Sequence, residues 1–191
     1  MPKVVQNWPG TFRVAWDTMV KYTSDVCCSA IEMGFKRMVI VSTHGPHGDV
    51  GRLVARDVFD RTGVGIVFTQ PHTIGAAPFK KFRKSKLGGT SHACEYETSL
   101  LMHFGYSVDV AKTDDRDNVK MVNEWVAGDM LGGSGKVSWS TWAVQISQTG
   151  TYGDPSCASA ETGRLAFEAI IDEYSRFLRY FRQQPIIVQK K

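Results

Sequence analysis

"RMVIVST" at residues 37–43 and "VGIVFTQ" at 64–70 are two short, continuous apolar runs rich in β-branched residues. Runs of that length without polar alternation read as strands buried on both faces, as in a parallel sheet. Between them, Asp49 can cap a helix whose Val50, Leu53, Val54 and Val58 share one side and which stops before Gly63. Upstream, Trp16, Met19, Val20, Val26, Cys27, Ala30 and Ile31 recur near helical spacing, with Gly34 placed to end the helix. Helix, strand, helix, strand in that order predicts an α/β fold with a largely parallel sheet.

The pattern continues downstream. Residues 71–90 carry two prolines, several glycines and the run "KKFRKSK" (80–86), which predicts a loop of roughly twenty residues, long for a compact domain and typical of a lid. A helix through 92–104 follows, with Ala93, Tyr96, Leu100, Leu101 and Phe104 as its apolar stripe. "YSVDVAK" (106–112) alternates like a strand, "VKMVNEWV" (119–126) is a short segment between glycine-rich connections, and "STWAVQIS" (140–147) is the last strand candidate. Phe167, Ile170, Ile171, Tyr174, Phe177, Leu178 and Phe181 define a long amphipathic helix, with Ser159 as N-cap, Glu161 in the first turn and Pro185 beyond the end. The whole chain, 1–191, is expected to form a single domain.

Composition narrows the function classes. The net charge is +4, yet five positive charges lie in 80–86 and the remainder is close to neutral. The plain reading of that segment is a solvated loop. The functional one is a lid whose Lys81, Arg83 and Lys84 draw an anionic small-molecule substrate, and nucleic acid ranks last. "MPKVVQNWPGTF" lacks the plan of a signal peptide and no apolar run is long enough for a membrane span, so the expected place is the cytoplasm. The four cysteines, at 27, 28, 94 and 157, contain no C-x-x-C and read as structural thiols.

Glu97 falls inside the apolar stripe of the 92–104 helix. An ionised carboxylate facing a core costs several kcal/mol unless it meets a metal, a cation or good donors. His92 precedes it by five residues, so both can address one site only if His92 lies at or before the first turn; Glu95, three residues from His92, is a competing partner. In "VSTHGPHGD" (41–49), His44 and His47 follow a strand and lead into a helix, where ligands of open α/β sheets gather. With Asp49 they can chelate zinc or manganese; a turn with a surface histidine and a capping Asp49 accounts for the same residues. His72 and His103 carry no signal, and "TGTYGDPSCASAETG" (149–163) reads as a turn followed by caps.

Taken together, "WPGT", "VIVSTHG", "HACEYETSLLM", "VDVAK" and "TGTYGDPSCASAETG" stand in the order that resembles the creatininase (creatinine amidohydrolase) family over residues 8–182. The resemblance implies a three-layer α/β/α fold, an oligomer, and a divalent-metal site, zinc first with manganese or iron as alternatives, that hydrolyses a carbon–nitrogen bond other than a peptide bond. It implies His44 as a metal ligand, with His47 as the alternative at that position, Glu97 as a ligand or a residue orienting one, and His92 as the proton carrier. Pro46 stands where creatininase itself has a glutamate ligand, and creatinine contacts are replaced at Gly45, Gly88 and Gly89. Nothing before Trp8 matches the family's N-terminal metal-binding strand and loop. Two expectations follow: that the chain acts in a homo-oligomer or with a second subunit supplying the missing ligands, or that it is a non-catalytic binding or scaffolding member.

Overall fold

The computed structural model describes residues 8–113, 123–126, 128–131, 135–137 and 147–188. The strand expected at 140–147 and most of the segment at 119–126 lie outside them. The described residues sort into two compact units, one of residues 12–74 and 173–188, the other of 8–11 and 75–172.

The first unit is built as the apolar runs predict. Helix α1 (Trp16–Glu32) leads to β1 (Val39–Val41), helix α2 (His47–Thr62) and β2 (Val67–Thr69), with a helical turn α3 (Pro71–Ile74) beyond. The strands pair in parallel, Val39 to Val67, Ile40 to Phe68 and Val41 to Thr69, with α2 as the crossover that a parallel pair requires. α1 ends at Gly34 (φ +100°), where Phe35 N–H reaches the Ala30 carbonyl and Gly34 N–H that of Ile31, the paired bonds of a Schellman stop. α2 ends at Gly63 in the left-handed conformation, as its position predicts. Cys27, Cys28, Val54 and Val58 form the core, with Val20, Ile31, Met38, Ile40, Val50 and Ile66 packed against it. Gly51 is obligatory there, because a Cβ on it would lie 2.1 Å from the Phe68 ring. Burial of β1 is less complete than a doubly covered strand implies, since Val41 is 53% exposed.

The second unit contains the helical turn α4 (Ala76–Phe79), helix α5 (Glu95–His103), two 3₁₀ turns at Val110–Lys112 and Pro155–Cys157, and the first half of α6 (Ala160–Gln183), whose second half belongs to the first unit. Ser159 caps α6 by accepting the Thr162 N–H at 3.1 Å, and its own N–H donates to the Ser99 hydroxyl at 3.1 Å. A Cβ on Gly163 would lie 1.9 Å from the Ser99 carbonyl oxygen, so α5 and α6 meet backbone to backbone.

Three local expectations are corrected. The loop predicted over 71–90 is helical at 71–74 and 76–79, and Phe79 is fully buried with its ring edge-on to Tyr96 at 5.1 Å. The strand predicted at 106–112 is extended chain ending in a 3₁₀ turn, unpaired by any strand among the described residues. Tyr106, on the face that alternates, is 65% exposed. The helix predicted from 92 starts at Glu95, because Ala93 takes φ +47° and breaks the register. No helix among the described residues is long and apolar enough to cross a membrane.

Candidate active site

In the first unit the chain leaves β1 through Ser42 and turns at 43–46, with His47 N–H bonded to the His44 carbonyl and Gly48 N–H to that of Gly45. Pro46 sits at the cap position of α2 in helical conformation, so Asp49 falls in the first turn rather than at the cap. There it favours the positive end of the helix dipole and pairs at the surface with Arg52, away from chelation. Gln70, which follows β2, holds the turn by donating its amide to the carbonyls of His44 (2.7 Å) and Gly45 (3.1 Å). The rings of His44 and His47 stand 4.6 Å apart, tilted by 45°.

His47 Nδ1 lies 2.9 Å from the Ser42 hydroxyl, whereas its Nε2 is buried with no hydrogen-bond partner among the described residues. Burial pushes the His47 pKa below the usual histidine value, so the ring is neutral at pH 7. A neutral imidazole with one nitrogen held by a hydroxyl and the other bare is the form that ligates a metal, the held nitrogen fixing the tautomer. An unsatisfied buried nitrogen otherwise costs about 1–3 kcal/mol.

In the second unit, His92 stands before α5, as its five-residue separation from Glu97 demands. Its backbone forms a short antiparallel bridge with Tyr152: His92 N–H to the Tyr152 carbonyl at 2.7 Å, and the reverse at 2.9 Å. The H-x-x-E pairing of His92 with Glu95 on one helix face is thereby removed. The two glutamates then divide. Glu95, 0% exposed, is the core carboxylate; its oxygens accept the Lys84 and Ser85 N–H groups at 2.8 Å each. Glu97, which the periodicity placed toward the core, is half-buried, and its carboxylate takes no hydrogen bond or ion pair among the described residues. Burial first, then the Glu97 charge, drives the Cys94 thiol up to about 12, which makes it inert. All four cysteines are free thiols.

The basic segment separates by role. Arg83 is a structural cation: its guanidinium pairs with Asp129 at 2.9 Å and donates to the Ser85 and Lys86 carbonyls. Lys80, Lys81, Lys84 and Lys86 are exposed, and Lys84 Nζ lies 3.5 Å from the Ser159 hydroxyl. Sequence reasoning missed Gln70 and Asp129. A polar residue closing an apolar strand is a faint signal for the first; Asp129, whose partners lie some forty residues earlier in the chain, has none.

Among the described residues no three His, Cys, Asp or Glu side chains gather as a ready metal site. His44 and His47 offer two imidazoles of suitable chemistry, one fewer than the three protein ligands that catalytic zinc ordinarily takes.

The fold has close counterparts. A Bacteroides fragilis NCTC 9343 protein assigned as a creatinine amidohydrolase superposes with a TM-score of 0.70 at 20% identity, covering 94% of this chain and 67% of that one. A creatininase in a manganese form superposes at 0.66, with 16% identity and 91% and 67% coverage. A mycofactocin precursor peptide peptidase of Mycobacterium tuberculosis is 27% identical over 184 residues, 94% of this chain; the chain spans 62% of that relative's length. The sequence profile described as creatininase, creatinine amidohydrolase, matches residues 2–178, and with the α/β fold it places the chain in the creatininase family.

Proposed function

We propose that the chain works in a metal-dependent amidohydrolase that hydrolyses a carbon–nitrogen bond, in an amide or cyclic amide, as part of a larger cytoplasmic assembly. The observation that carries this reading is the pair of imidazoles after β1, with the His47 ring neutral and its buried Nε2 left for a ligand. In the first unit His44 and His47 are the proposed metal ligands. In the second, Glu97 is the proposed acidic residue, because Glu95 already satisfies the core amides. A divalent ion, zinc before manganese or iron, supplies Lewis-acid polarisation of the scissile carbonyl and activation of water. The structures of related creatininases in manganese and Zn-Zn forms support that choice.

His92 is the proposed proton carrier: its main chain is fixed by Tyr152, and its imidazole delivers a proton to the leaving nitrogen. Lys81 and Lys84 remain proposed contacts to an anionic substrate, and Arg83 supports them from below by ordering the turn. A catalytic ion ordinarily takes three protein ligands, the described residues gather no such three, and we infer that another copy or a second chain completes the set. Elemental analysis of the protein, purified with whatever accompanies it, should find a stoichiometric divalent ion that His47→Ala abolishes. His92→Ala should retain the ion and lose amide hydrolysis by about 10²-fold or more. Protein that is metal-free in every assembly would leave the binding or scaffolding role in its place.

A further inference from the structure

Residues 83–94 run without helix or strand apart from the bridge at His92, and they include Gly88 at φ +89°. Such a segment holds one shape only if its polar groups are tied down, since each fixed residue gives up conformational entropy. Several of the ties converge on one carboxylate. Asp129, its side chain 1% exposed, accepts five hydrogen bonds: from both terminal nitrogens of Arg83 (3.2 and 2.9 Å), from Gly88 N–H (2.6 Å), from the Thr90 hydroxyl (2.6 Å) and from Leu131 N–H (3.0 Å). The next residue continues the tie, Met130 N–H donating to the Thr90 carbonyl at 2.6 Å. Thr90 is fully buried and stands two residues before His92. The far side is fixed by Tyr152, and by Asp154 N–H on the Gly89 carbonyl at 2.9 Å.

We propose that Asp129 is a positioning residue for His92, acting through the Thr90 hydroxyl to fix the turn from which the imidazole projects. Arg83 supplies the counter-charge that lets this carboxylate stay ionised while buried, which accounts for its separation from the exposed lysines of the same basic run. The functional consequence rests on the reading of His92 as the proton carrier; the positioning itself does not.

Thr90 separates hydrogen bonding from packing. Thr90→Val keeps the shape and loses the hydroxyl, whereas Thr90→Ser keeps the hydroxyl and loses a methyl. The readout is the set of five histidine side-chain resonances of the full chain, with His92 identified by its loss in His92→Gln. Thr90→Val should shift or broaden the His92 signal and leave those of His44 and His47 in place, while Thr90→Ser restores the native position. An unmoved His92 signal in Thr90→Val overturns the proposal, and so does Thr90→Ser behaving like Thr90→Val, which would mean packing alone. Should Thr90→Val fail to fold, Thr90→Ala, which cannot overpack, answers the same question. A displaced His92 signal with hydrolysis unchanged would instead sustain the positioning and sink the catalytic reading of His92.

Discussion

The two compact units hold their candidate residues by opposite electrostatic means. In the first, the histidine turn is pinned by neutral groups, the Gln70 amide on two carbonyls and the Ser42 hydroxyl on His47. Two of its imidazoles, His47 and His72, are pushed by burial toward the uncharged form. In the second, the turn before α5 is pinned by carboxyl groups, Glu95 on two amides and Asp129 on an arginine, a hydroxyl and two amides. Charge-assisted bonds are roughly twice as strong as neutral ones. The contrast teaches that the second turn is built to stay put, whereas the first keeps the His47 imidazole neutral and its Nε2 available to a cation.

The largest expected effect follows from breaking the charged anchor. Asp129→Ala leaves the largely covered Arg83 without its counter-ion, and the loss of a partner from a buried pair costs about 3–5 kcal/mol. Chemical denaturation should register that loss, with amide exchange accelerated over 83–92. A loss below about 1 kcal/mol, the worth of an exposed pair, would erase the distinction between the two turns.

The neutral anchor should cost less. Gln70→Ala removes two amide-to-carbonyl bonds at a half-buried site, together about 1–3 kcal/mol. Because these bonds hold the carbonyls of His44 and Gly45, exchange at the His47 and Gly48 amides, which donate to those same carbonyls, should rise first. A penalty equal to that of Asp129→Ala would again count against the comparison.

How far each turn could be read in the sequence follows from the same physics. The first unit was legible because its elements bury apolar side chains at regular spacing, and α6 was legible for the same reason. α5 was not, since its buried face consists of Glu95, Tyr96, Thr98 and Ser99, polar side chains of which Glu95 and Ser99 are satisfied by hydrogen bonds that a hydropathy pattern does not register. The apolar stripe drawn through Leu101 and Phe104 left both about half exposed, at 45% and 51%. That choice of face put Glu97 in the core and hid Glu95. His44 and His47 could be picked out as candidates because they follow a strand and lead into a helix, and His92 because of its spacing from Glu97, but their supports, Gln70 and Asp129, come from far along the chain.

Acid separates the units with the smallest effect. Burial lowers the His72 pKa in the folded state, while the unfolded value is about 6.5. Above that pH both states are neutral; as pH falls through it the unfolded chain takes up a proton that the folded imidazole refuses, so stability in the first unit declines until the lowered folded value is reached. Asp129 behaves differently. Burial opposes its ionisation, but hydrogen bonds from Arg83, Thr90 and Gly88 outweigh that and hold its carboxyl below the ordinary value. Its contribution is present above the unfolded carboxyl value of about 3.9 and is lost only as pH falls through the lower folded one. Between about pH 6.5 and 4, amide exchange in the α2 and β2 region should therefore rise while that at Gly88 and Thr90 holds, and His72→Gln should flatten the rise. Opening at 83–92 first, or an unchanged slope in His72→Gln, would show that buried imidazoles do not set the acid response of the first unit.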